Sequence, residues 1–127
     1  MPYRHEVQSG SATRASRIVG MDLRNVFGER LGDIRDLVID PARGQVLFAV
    51  VSVHGVLGNF DRRYFPVPWT TIRPSGDYLV LSTEAVARLT SGPAFERGKW
   101  PDLTSDQWIA SVYRHYNQRP PVREAAR

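Results

Sequence analysis

Three aspartates, Asp33, Asp36 and Asp40, fall within eight positions of the stretch LGDIRDLVIDPARGQVLFAVVSV, Leu31 to Val53. Carboxylates this close suggest a hard-cation site or a proton-sharing pair. A calcium loop needs acidic ligands at alternate positions, a central glycine and a closing glutamate. Here the spacing is three and then four, within a segment rich in Ile, Val and Leu. On a regular strand, Asp36 and Asp40 face one side and Asp33 the other, so the three do not converge on one ion. The expectation is that Asp33 and Asp36 pair with arginines or bond local amides while Asp40 shapes a turn, with no metal bound.

Imidazole is available only from His5, His54 and His115. His5 lies in a polar tail, His54 ends an apolar run, and His115 is placed toward the exposed side of the last helix. Neither G-x-S-x-G nor H-E-x-x-H occurs. His54-Gly-Val-Leu-Gly58 is followed by no G-K-[ST] and reads as a hairpin loop rather than a phosphate cradle. With no cysteine in the chain, thiolate metal sites, disulfides and cysteine nucleophiles are excluded. No catalytic residue and no cofactor is expected.

Two groups of side chains instead suit contact with another molecule. Asp61-Arg62-Arg63-Tyr64-Phe65 joins two arginines to two aromatics, a composition that meets a nucleic-acid backbone, an acidic protein surface or simply solvent. The segment Phe95 to Tyr116 is unusually aromatic. Trp100, Trp108, Tyr113 and Tyr116 there fit either packing of a helix on the core or a self-association surface, and both readings stay open. Arg62, Arg63, Tyr64, Trp100, Trp108, Tyr113 and Tyr116 form the candidate interaction surface.

The elements that position these residues are mostly short strands. Arg17 to Leu23, Leu31 to Asp40, Gln45 to His54 and Tyr64 to Trp69 carry strand-forming composition, and Thr70 to Ile72 and Tyr78 to Leu81 flank a turn at Pro74 to Asp77. Asp40-Pro41-Ala-Arg-Gly44 is a hairpin signal: proline presets φ, the aspartate bonds back to turn amides, and glycine supplies a positive φ at the exit. Pro66 and Pro68 share a side, as an edge or bulged strand requires. Ser82 or Thr83 caps a helix over Glu84 to Leu89. Thr104-Ser-Asp-Gln107 fits a capping box ahead of a helix whose Trp108, Ile109, Val112 and Tyr116 form one apolar face. Hairpin-linked strands followed by helices predict a mainly β protein: a small antiparallel, partly open barrel with a short helix and a C-terminal α-helix. The domain reading is a tail over 1–15, a barrel over 16–90, a connector and helix over 91–118 packed on the barrel or on a partner, and a second tail over 119–127.

At 127 residues, with 42% hydrophobic content, the chain has enough material for one core. No apolar run approaches the roughly 18 residues of a membrane span, and the first residues lack the apolar core of a signal peptide, so a cytoplasmic protein is expected. The net charge of +4 gathers in the tails, because residues 17–118 hold 12 basic and 11 acidic side chains. A nucleic-acid domain concentrates its positive charge on one face of the fold, so nucleic acid is the less favoured partner.

The ordered series Ile18-Val-Gly20-Met-Asp-Leu23, Leu31-Gly-Asp-Ile-Arg-Asp-Leu-Val-Ile-Asp40, Gly44 to Val51 and Phe65-Pro-Val-Pro-Trp69 resembles the PRC-barrel domain over about residues 16–85. Phe95 to Pro101, with Trp108 and Tyr113, is similar to the extension of some stand-alone bacterial members. The resemblance implies a small β-barrel that is not an enzyme, of the kind that mediates protein contact in the photosynthetic reaction-centre H subunit and in a ribosome maturation factor. It gives Gly20, Gly32, Asp36, Asp40, Pro68 and Trp69 structural roles and carries over no catalytic residue. The function expected is a self-associating, dimeric interaction module with an unidentified protein partner. The alternative is an RNA- or ribosome-associated assembly factor using Arg62, Arg63 and the basic tails.

Overall fold

The computed structural model describes residues 12–121. His5 and most of both expected tails lie outside the described residues. A short helix, α1 (Ala15–Ile18), opens the chain and is followed by β1 (Asp22–Arg24), β2 (Arg30–Asp40) and β3 (Gln45–Val53). Next come a 3-10 turn at Gly55–Leu57, β4 (Arg63–Pro68), a 3-10 turn at Trp69–Thr71, β5 (Ile72–Ser75) and β6 (Tyr78–Leu81). The chain then forms α2 (Thr83–Leu89), the two-residue β7 (Phe95–Glu96) and α3 (Asp106–His115). No helix among the described residues is long and apolar enough to cross a membrane.

The strands form one curled sheet in the order β5-β6-β1-β2-β3-β4-β7, which does not close. Every pairing is antiparallel except β1 with β6, which run parallel. That exception follows from connectivity. The β5–β6 hairpin returns beside β1 after the chain has passed through β2, β3 and β4, so no tight turn joins the two partners.

The β2–β3 hairpin forms as its turn chemistry demands. Asp40 Oδ1 accepts from Ala42 N at 3.1 Å and from Arg43 N at 3.4 Å, and Gly44 adopts φ 66°. Phe48 to Val51 are fully buried, because the sheet's interior covers one face of β3 and α3 the other. Gly32 is required by space: a Cβ there would run into the backbone carbonyl of Ser52 on β3. Pro66 and Pro68 oppose Val50 and Phe48 on a strand whose other side β7 covers only at Arg63 and Tyr64, so β4 is an outer strand along the prolines.

Three local expectations are corrected. Ala15 to Ile18 is helical, so the first strand is shorter than Arg17 to Leu23 and begins at Asp22. The cap of α3 is Ser105, whose Oγ accepts from Trp108 N at 3.1 Å, and not Thr104, whose hydroxyl donates to Asp102 at 2.6 Å. With the cap at 105 the third helical residue is Trp108, so no capping box forms. His115, expected toward the exposed side, is half-buried and ties the two helices together. Its Nε2 donates to Arg88 O at 2.8 Å, and Arg88 Nη1 donates to His115 O at 3.2 Å.

Candidate interaction surfaces

A β-bulge sets Ile34 opposite Val51 and Asp36 opposite Val50, leaving Arg35 as the extra residue. The bulge reverses the alternation expected of a regular strand and puts Asp33, opposite Ser52, on the same face as Asp36. Each carboxylate is nonetheless engaged locally. Asp33 Oδ1 lies 3.3 Å from both Arg35 Nε and His54 Nε2. Asp36 accepts from the backbone N–H of Leu37 at 2.8 Å, and Asp40 holds the turn. Among the described residues, no three His, Asp or Glu side chains are grouped to hold a metal.

His54 sits inside a chain of charges rather than in an open cleft. Arg30 Nη1 approaches its Nδ1 at 2.9 Å. Arg30 Nη2 also approaches His54 Nε2 at 3.3 Å, and Asp33 Oδ1 lies 3.3 Å from the same nitrogen. Both ring nitrogens therefore face side chains of this chain. Arg30 also donates through Nε to Asp22 at 3.0 Å. Arg24 bonds the other oxygen of Asp22 at 3.0 Å while its guanidinium lies 4.2 Å from the Tyr78 ring centroid. The Arg24 hydrogen bond is the main reason the Asp22 carboxyl is held below its ordinary range, with Arg30 adding to it against partial burial.

The expected contact residues divide. Tyr113 and Tyr116 are 3% and 1% exposed and face the core. The Tyr113 hydroxyl donates to Leu47 O at 2.7 Å, and its ring stands 5.4 Å from that of Phe48. Trp108, half-buried, meets Phe48 edge-on at 5.5 Å. Tyr113 and Trp108 seat α3 against β3 within the same chain, and Tyr116 joins the core. Burial raises the Tyr113 hydroxyl to about 12 and pushes Tyr116 up as well. Trp69 is half-buried against the core beside β3.

Around the β4–β7 edge other expected residues lie near one another. Trp100 packs on Phe95 at 4.8 Å, Phe95 meets Tyr64 at 6.0 Å, and Arg97 lies 6.0 Å from the Tyr64 ring. Arg63 lies over Phe60 and Phe65 at 5.1 and 5.5 Å. Arg62, at φ 72°, accepts through its carbonyl from Arg97 N. The sequence reading singled out Arg62, Arg63, Tyr64 and Trp100 by type. It missed Phe95 and Arg97, which reach them only through the pairing of β7 with β4.

Two further surfaces escaped sequence reasoning. The first is the β1–β2 turn, where Phe27 is 84% exposed beside the exposed Val26. Asn25 fixes this tip: its Oδ1 accepts from Phe27 N and Glu29 N, its Nδ2 donates to Glu29, and its backbone N–H and C=O bond Glu29 and Gly28. A phenylalanine inside a polar, glycine-containing turn was the available signal. The second is a cleft of about 550 Å³ between the stretch from Asp36 to Pro41 and the connector residues Trp100, Leu103 and Thr104, with Leu47 adding to its wall. Ile39, Trp100 and Leu103 are all exposed there.

The family model of the PRC-barrel domain matches residues 12–86, which run from ahead of α1 into α2 and leave β7 and α3 beyond the matched stretch. Among curated proteins none matches the chain. With more than half of its length covered, and with the curled open sheet that the ordered strand motifs imply, the chain belongs to the PRC-barrel domain family.

Proposed function

We propose that this chain is a non-enzymatic protein–protein interaction module that associates with a second copy of itself. The observation that carries the reading is the β1–β2 tip. Phe27 stands 84% exposed on a turn held by five hydrogen bonds through Asn25. Leaving a phenylalanine in water forgoes roughly 2 kcal/mol of burial, and a tip already ordered loses little entropy when it docks. The non-enzymatic part of the reading is supported by His54, whose ring nitrogens face Arg30 and Asp33, and by His115, which bonds a backbone carbonyl. Light scattering across a concentration series tests self-association. A dimer is expected for the native chain and a folded monomer for Phe27→Ser. A native monomer at hundred-micromolar concentration, or a dimer unchanged by Phe27→Ser, would count against the reading.

A second reading, association with RNA or the ribosome, is favoured by the gathering of Arg62, Arg63 and Arg97 at the β4–β7 edge. Its signature is RNA binding that weakens steeply with salt and drops on replacing Arg62 and Arg97 by alanine.

A further inference from the structure

The two halves of β2 are bordered differently. Arg30 to Asp33 lie between β1 and β3, and Ile34 exchanges backbone hydrogen bonds with Gly20 and Met21. From Arg35 to Asp40 the pairing to β3 continues, but among the described residues no strand borders the opposite side. Leu37 shows the result: its N–H is taken by the Asp36 carboxylate at 2.8 Å instead of by a strand carbonyl. The consecutive residues from Asp36 to Pro41 all line the cleft of about 550 Å³. A strand presents six residues in a row to one cleft only where the cleft meets its backbone as well as its side chains.

The charge of the cleft selects its occupant. Its ionisable lining groups are Asp36 and Asp40, and no lysine or arginine is among them. Asp36 has no ion-pair partner among the described residues, and Asp40, which also holds its turn, has a long ion pair to Arg43 at 3.9 Å. The remaining walls are mostly apolar, with Ile39, Trp100 and Leu103 exposed.

We propose that the free half of β2 accepts an added strand from a protein partner, an extended segment in which arginines or lysines alternate with apolar residues. An added strand places alternate side chains beside alternate residues of its neighbour. Its cations therefore lie beside Asp36 and Asp40, and its apolar residues beside Leu37 and Ile39. The stretch from Asp36 to Pro41 spans about 17 Å at about 3.3 Å per residue, the reach of five or six extended residues. Before binding, the Asp36 carboxylate caps the Leu37 amide and places a charge on the edge, which discourages indiscriminate strand pairing. A partner carbonyl that takes this amide frees the carboxylate for the partner's cation. The proposal rests on reading the chain as an interaction module, and it is independent of self-association through Phe27.

The test is selection of a phage-displayed library of random 12-residue peptides on the full chain, followed by anisotropy titration and amide hydrogen exchange with the selected synthetic peptides. Enriched peptides are expected to alternate basic and apolar residues and to bind at least tenfold more weakly to the Asp36→Asn/Asp40→Asn variant, whose fold is checked by its amide spectrum. They are expected to slow exchange at Leu37 and Ile39 at least tenfold and to bind Phe27→Ser unchanged. The proposal is overturned by a lack of enrichment, by enriched peptides without cations, by equal binding to the double variant, or by exchange at Leu37 and Ile39 that peptides leave untouched. It is overturned equally if raising the protein concentration alone protects those amides, since the added strand would then come from a second copy. A monomeric native chain that still passes this test removes self-association and leaves the added-strand site standing.

Discussion

Tyr113 and Tyr116 are both buried tyrosines at one end of α3, and removing the hydroxyl should act in opposite directions at the two. The Tyr113 hydroxyl donates to Leu47 O at 2.7 Å. Tyr113→Phe keeps the ring against Phe48 but leaves a carbonyl on the 5%-exposed Leu47 without this donor. Stranding one partner of a buried hydrogen bond costs about 1–3 kcal/mol, and about 1.5 kcal/mol is expected here. The Tyr116 hydroxyl is buried and has no hydrogen-bond partner among the described residues. Burying a hydroxyl unbonded costs about 1–3 kcal/mol, so Tyr116→Phe should be neutral or stabilise by about 1 kcal/mol. The two variants should therefore differ by about 2 kcal/mol. Urea unfolding followed by tryptophan fluorescence reads this difference as a midpoint shift of about 1 M at an unchanged slope. Losses of equal sign and size would refute the reasoning, as would a Tyr116→Phe variant less stable than the native chain.

Alkaline pH probes the same pair. Burial raises Tyr113 from 10 to about 12, and Tyr116 is raised too, so their contribution is complete below pH 10 and is lost as pH climbs through the folded-state values. For Tyr113 alone the loss approaches about 3 kcal/mol, and thermal unfolding of the double phenylalanine variant should be markedly flatter above pH 10. Gly32→Ala drives a Cβ into the Ser52 carbonyl, so it should cost more than about 3 kcal/mol or abolish soluble expression, measured by urea unfolding against Gly44→Ala. Ser105→Ala should cost about 1 kcal/mol and Thr104→Ala much less, because Ser105 alone bonds the first turn of α3; chemical denaturation of the two reads the contrast.

Much of the barrel was legible because its signals are local. Asp40, Pro41 and Gly44 specify their turn through bonds made within five residues, and the β-branched runs on either side have no competing helical period. The Ser82 cap and the apolar face of α3 are equally short-range. The functional surface was legible only in part. Arg62, Arg63, Tyr64 and Trp100 could be singled out by type, but Tyr113 and Tyr116 look the same in sequence whether they face a core or a partner.

What the sequence determined by itself was the succession of strands and turns and the family. Tertiary structure alone decided the parallel pairing of β1 with β6, the bulge that moves Asp33 to the face of Asp36, and the inward placement of Tyr113 and Tyr116. It also decided that β2 runs past its neighbour β1 and, among the described residues, has no strand on that side beside Trp100. The reason is range: turns and caps are fixed by bonds between near neighbours, whereas register, burial and exposed edges depend on which distant segments arrive alongside.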